Sequence, residues 1–114
     1  MSAGALPPLR RFEATRYLQP LREGGSLPAV VDTDGGGLFV VKFRGAGQGA
    51  KALIAELIAG RLAQALDLPV PELAVIELSA AFGRTEPDPE IQDILRGSTG
   101  VNVGKLNYLG QMPS

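Results

Sequence analysis

The amino-acid sequence predicts a single α+β domain, in which one long helix packs on a twisted antiparallel sheet and a short C-terminal helix follows. Three observations predict this fold. The chain has 114 residues, the usual length of one domain. Two segments rich in β-forming residues flank a glycine-rich loop at 33–37, which is typical of a hairpin. Residues 50–66 are dominated by Ala, Leu, Glu, Arg and Gln, which favour helix.

Four strands are predicted. The first contains Phe12, Thr15 and Tyr17, and Pro20 either ends it or places it at a sheet edge. The second and third strands form the hairpin, because the glycines between them supply the positive φ values that a tight loop needs. The predicted strands cover residues 12–18, 28–32, 38–43 and 73–78.

Two helices are predicted. In residues 50–66 the larger apolar side chains form a broad arc and four alanines lie opposite, so both sides can approach other structure closely. Asp88, followed by a proline and a glutamate, predicts a second helix over 89–96. Residues 97–110 contain several glycines and are predicted to be a loop. The apolar arc consists of Leu53, Ile54, Leu57, Ile58 and Leu62.

The composition excludes several classes of function. Eleven basic residues against twelve acidic ones give a net charge of −1, which argues against nucleic-acid and membrane-surface binding. The absence of Cys and His excludes disulfides, thiol nucleophiles, histidine-dependent triads and ordinary zinc sites. The chain has no apolar run of membrane-spanning length and no signal-peptide pattern, so we expect a cytoplasmic protein. The remaining groups, Lys, Arg, Asp, Glu and backbone amides, suit phosphate chemistry.

Lys42 is a candidate phosphate-binding residue. It lies inside the most strongly predicted strand, where a lysine is either solvated or held by the sheet to meet a phosphate as a point charge. Glu56 lies two turns into the predicted helix that would pack on this sheet. A strand lysine paired with a helix glutamate is the arrangement with which protein kinases place the phosphates of ATP. This interpretation predicts salt-bridge distance between the two side chains, whereas the alternative is that both are solvated.

Two glycine-rich segments are also candidates for phosphate binding. Gly45 and Gly47, between the third strand and the helix, match part of the dinucleotide-binding fingerprint, which requires a parallel βαβ unit. Two basic residues in the preceding strand and the antiparallel hairpin argue against that alternative. Gly24, Gly25 and Ser26 lie between the first two strands, where a kinase places the glycine loop that covers the phosphates. The alternative is that these three residues form an ordinary turn without a role in binding.

Three runs of the sequence together resemble the HipA-like kinase family. They are Phe-Val-Val-Lys-Phe-Arg-Gly at 39–45, Ala-Glu-Leu-Ile-Ala-Gly-Arg-Leu-Ala at 55–63 and Leu-Pro-Val-Pro-Glu-Leu-Ala-Val-Ile-Glu at 68–77. The resemblance implies a kinase N-lobe and a nucleotide site for ATP. The residues that it implies for this site are Lys42, Glu56, Gly24, Gly25 and Ser26.

The resemblance also implies a C-lobe that these residues do not supply. In the family, that lobe provides the catalytic Asp and the residues that hold magnesium. We therefore expect a disordered lead-in over 1–11, an N-lobe over 12–82 and a short helix and loop tail over 83–114. Such a chain would be a truncated ATP-binding lobe, inactive alone, with Mg²⁺ bound only if a C-lobe is supplied. The alternative is a non-catalytic regulatory module that binds a C-lobe-like protein partner.

Overall fold

The computed structural model describes residues 8–21, 27–46 and 49–107. They form five strands and two helices, which are numbered in chain order. The strands are β1 (Arg10–Pro20), β2 (Ala29–Thr33), β3 (Leu38–Lys42), β4 (Leu73–Leu78) and β5 (Gly100–Leu106). The helices are α1 (Gly49–Ala65) and α2 (Pro89–Arg96).

The strands close into a barrel in the order β1-β2-β3-β5-β4. The α+β class is confirmed, but the sheet is not the twisted antiparallel one that we expected, because it closes and because β1 pairs with β4 in parallel. Closure depends on the length of β1, which has 11 residues and begins at Arg10, inside the expected lead-in. Residues 10–13 pair with β4 and residues 14–20 with β2. Two register shifts, at 14–16 and at 17–19, interrupt the pairing of β1 with β2.

β5 lies where the sequence predicted a loop. That prediction is wrong for residues 100–106, which pair antiparallel with both β3 and β4. Asn102 and Gly104, which weaken the β pattern, are buried. A Cβ on Gly104 would lie 2.8 Å from Ile76 Cγ1 and 3.1 Å from Phe39 Cβ, so the packed barrel interior leaves no room for a side chain there. The glycine that indicated a loop is therefore a packing requirement.

The hairpin of β2 and β3 is confirmed, with Gly35 and Gly37 at positive φ in its loop. β3 and β4 are not neighbours, because β5 lies between them. The dinucleotide-binding interpretation of Gly45 and Gly47 is therefore wrong, since the described strands contain no parallel pairing of β3 with β4. Gly47 itself lies outside the described residues.

The barrel interior contains the main hydrophobic core, to which Phe39, Val41 and Ile76 contribute fully buried side chains. α2 adds Ile91 and Leu95 to this core. The predicted start of α2 is confirmed, because the Asp88 side chain accepts hydrogen bonds from the backbone N–H groups of the first turn. The core is thus mainly aliphatic, as the composition requires.

α1 lies on the outer face of the barrel. Its Leu53 packs with Leu73 and Val103 in a second, smaller cluster. Much of the predicted apolar arc points to solvent, because only one narrow side of the helix faces the sheet. The members of the arc that are more than half exposed are Ile54, Ile58 and Leu62. Neither helix in the described residues combines the length and the apolar character that a membrane crossing needs.

Candidate functional site

Lys42 and Lys105 lie on the same outer face of the barrel. Side chains of paired residues on neighbouring strands point to the same side of a sheet. Lys42 is paired with Val103, and Lys105 with Val40, so the two lysines are diagonal neighbours on β3 and β5. Long side chains can meet across that diagonal.

Glu56 reaches this face from α1. It lies three residues after Leu53 and four before Gly60, and residues at these spacings share one side of a helix. Leu53 packs against the sheet, and a Cβ on Gly60 would lie 2.1 Å from Leu73 Cδ1, so this side approaches the barrel closely. The Glu56 side chain is therefore largely buried, with 17% exposed.

Lys42, Glu56 and Lys105 form one group of charges, here called the lysine cluster. The Nζ atom of Lys42 lies 3.8 Å from Glu56 Oε1, and the Nζ atom of Lys105 lies 2.7 Å from the same oxygen. The predicted contact between Lys42 and Glu56 is thus present. The two lysine side chains are 36% and 43% exposed, so solvent reaches them. Two ammonium groups against one carboxylate leave a formal surplus of one positive charge.

The contacts at Glu56 are ion pairs without hydrogen-bond geometry. Its Oε1 atom is buried, yet no donor in the described residues meets the angular requirement of a hydrogen bond, even with Lys105 at 2.7 Å. The attraction is therefore Coulombic and weakly directional. Lys42, at 3.8 Å, can turn towards another anion without losing a hydrogen bond.

A cavity of about 150 Å³ lies beside the lysine cluster, between α1 and β4. Glu56, Lys105 and Leu73 contribute to its wall, and much of the rest is apolar. Ligand pockets usually enclose about 300–1,000 Å³. The cavity is therefore too small to enclose a whole nucleotide, and the accessible part of the site is the charged surface formed by the two lysines.

A second polar group, here called the asparagine network, consists of Arg44, Ser98 and Asn102. Asn102 Oδ1 accepts from the Arg44 backbone N–H at 2.8 Å, and its Nδ2 donates to the Ser98 carbonyl at 2.8 Å. The Ser98 hydroxyl accepts from the Gly45 N–H at 2.9 Å and donates to the Ile94 carbonyl at 2.6 Å. The network joins the end of β3 to the turn before β5.

The geometry of the asparagine network indicates a structural role. The side chains of Ser98 and Asn102 are fully buried, and each both donates and accepts a hydrogen bond. The Arg44 guanidinium donates to the carbonyls of Thr99 and Val101. The buried side chains of Ser98 and Asn102 thus already have partners, which favours a role in the fold.

The remaining predicted site residues, Gly24, Gly25 and Ser26, lie outside the described residues. The sequence does not identify Lys105 as a site residue, because the glycines of residues 97–110 predict a loop. One pattern could have identified it, since Val101, Val103 and Lys105 alternate with Asn102 and Gly104, as expected for a strand with two different faces. The glycines of this segment disfavour a strand, so the alternation alone did not predict one.

Acidic residues are dispersed over the described part of the chain. There, no three of them are grouped so that they could hold a metal ion. The lysine cluster itself contains one carboxylate, which two ammonium groups already contact. The surplus positive charge of the cluster is of the sign that attracts an anion.

Comparison with known proteins identifies one family. The family model described as HipA-like kinase matches residues 15–99, which include Lys42 and Glu56 but not Lys105. No curated protein and no solved structure matches the chain.

Proposed function

This chain belongs to the HipA-like kinase family, and we propose that it binds the phosphate groups of ATP through Lys42. The observation that supports this proposal is the contact of Lys42 with Glu56, at 3.8 Å between a central strand and the helix packed on it. Protein kinases use a lysine and a glutamate in these positions to place the α- and β-phosphates of ATP.

The position of Lys42 suits a phosphate contact. The side chain comes from a strand that is hydrogen-bonded to neighbours on both sides, so its backbone is fixed. Its side chain is 36% exposed and belongs to a cluster with surplus positive charge. A lysine ammonium acts on phosphate as a point charge, which requires correct placement more than a fixed angle.

The proposal assigns nucleotide binding, and not phosphoryl transfer, to these residues. Transfer depends on metal ions that bridge the phosphates and on a residue that orients the nucleophile. The resemblance of the sequence to kinases implies that a C-lobe supplies those groups. Gly24, Gly25 and Ser26 remain the proposed covering loop, and Mg²⁺ would accompany ATP when a C-lobe is supplied.

Titration of the ¹⁵N-labelled chain with ATP, with and without Mg²⁺, tests the proposal by NMR. We expect shifts around Lys42 and a dissociation constant that rises about tenfold or more in Lys42→Met, because an ammonium–phosphate contact is lost. Lys51→Met is the matched control. It removes the same charge from an exposed lysine on α1 for which the described residues form no ion pair.

Equal affinity of the wild type and Lys42→Met for ATP would contradict the proposed function. Equal losses in Lys42→Met and Lys51→Met would also contradict it, since general charge attraction would then explain the binding. Thermal unfolding of each variant shows whether the fold is retained.

A second candidate is a regulatory module that binds a protein partner, and the exposed apolar row on α1 favours it. Ile54, Ile58 and Leu62 are spaced by four residues and so form one continuous ridge. If this is the function, Ile58→Glu should prevent association with a partner and leave the ATP-induced shifts unchanged. Loss of those shifts in Ile58→Glu, with the fold intact, would show that the row belongs to the nucleotide site.

A further inference from the structure

We propose that Lys105 is a positioning residue that neutralises Glu56 and thereby leaves Lys42 free to contact the ligand. This inference rests on the proposed function, since it concerns the same nucleotide site. It begins from the unequal distances in the lysine cluster, 2.7 Å from Lys105 and 3.8 Å from Lys42 to one oxygen. The closer lysine is the one that the family match does not include.

The two lysines compete for one carboxylate oxygen. Glu56 Oε1 is the atom contacted by both, and it is buried without a hydrogen-bond donor in the described residues. A buried carboxylate is costly without a counter-ion. If Lys42 turned towards a ligand and Lys105 were absent, Glu56 would lose its nearest positive charges. With Lys105 at 2.7 Å, the carboxylate remains neutralised when Lys42 turns away.

The same arrangement reduces repulsion between Glu56 and the ligand. A polyphosphate bound at Lys42 would lie close to the Glu56 carboxylate, and like charges at short range repel strongly where water is excluded. Glu56 is largely buried, so solvent screens it poorly. Lys105 offsets this charge, and the cluster keeps a net positive charge that favours a polyanion.

Titration of three variants with MgATP tests this role. We expect Lys105→Met to weaken binding about tenfold, a typical effect of coupling between charged residues in contact. Lys105→Arg keeps the positive charge, so its dissociation constant should lie within about threefold of the wild-type value. Lys51→Met should stay within about twofold of the wild type, because it removes an equal charge outside the cluster.

A double-mutant cycle separates action through Glu56 from direct contact with ATP. Glu56→Gln removes the negative charge and keeps both lysines, so Lys105 has nothing left to neutralise. In that background Lys105→Met should weaken binding only about threefold, because the ligand still loses a nearby positive charge but Glu56 no longer needs a counter-ion. An undiminished loss in the Glu56→Gln background would overturn the proposal, since Lys105 would then contact the ligand itself. A loss in Lys105→Met no greater than in Lys51→Met would overturn it as well.

A measurement on the free protein covers the case in which Glu56→Gln binds too weakly to titrate. The side-chain ammonium signal of Lys42 should shift in Lys105→Met, because Lys42 becomes the sole lysine at Glu56, and should not shift in Lys51→Met. An unchanged Lys42 signal would overturn the proposed competition.

If Lys42→Met binds ATP like the wild type, the proposed function itself fails. If only the Lys105 variants behave like the control, the nucleotide site stands and this inference alone fails.

Discussion

The lysine cluster and the asparagine network both involve β3 and β5, but their buried polar atoms are paired differently. In the asparagine network, buried polar atoms meet donors and acceptors at hydrogen-bond distance. In the lysine cluster, two ammonium groups share one buried carboxylate oxygen without hydrogen-bond geometry and leave a positive surplus. The difference shows that a concentration of polar residues does not by itself identify a binding site. A buried polar atom without a hydrogen bond and a local surplus of charge are better indicators of a binding site.

The difference between the two groups also predicts which substitutions affect stability and which affect ligand binding. A satisfied, buried network stabilises the fold, because removal of one member leaves its partners unpaired in a low-dielectric interior. A partly solvated ion pair contributes little to stability, because water can replace either partner. Substitutions in the network should therefore affect unfolding, whereas substitutions in the cluster should affect ligand binding.

The largest expected effect on stability is that of Asn102→Ala. The change leaves the Arg44 N–H and the Ser98 carbonyl without their partners. We expect the free energy of unfolding to fall by about 3 kcal/mol, as measured by urea denaturation.

Thr99→Ala is the control for Asn102→Ala, since it changes an exposed side chain three residues away. It should alter the free energy of unfolding by less than about 0.5 kcal/mol. A loss below about 1 kcal/mol in Asn102→Ala would contradict the structural role of the network, because water would then be able to satisfy its partners.

A much smaller effect than that of Asn102→Ala is expected for Glu56→Gln on stability. The variant keeps the shape of the side chain, and both lysines can be solvated in the absence of the carboxylate. We expect the free energy of unfolding to change by less than about 1 kcal/mol in the same denaturation experiment. A loss as large as that of Asn102→Ala would remove the distinction between the two groups and make the lysine cluster a structural element.

The sequence was sufficient for the elements whose local pattern is strong. The hairpin of β2 and β3 follows from β-forming residues on either side of a glycine loop, and the cap of α2 follows from Asp88 before a proline. The contact between Lys42 and Glu56 follows from a different argument, the pairing of a strand lysine with a helix glutamate in protein kinases. Local sterics and helix capping act over a few residues, so a short segment contains the information.

Only the tertiary structure decided the role of β5 and, with it, the composition of the site. Gly104 and Asn102 disfavour a strand locally, and they are accepted there because the barrel interior needs one residue without a side chain and one that can complete a hydrogen-bond network. Barrel closure and the position of Lys105 next to Glu56 both follow from pairings between residues far apart in the chain. Such pairings depend on the simultaneous packing of all five strands, which no local pattern specifies.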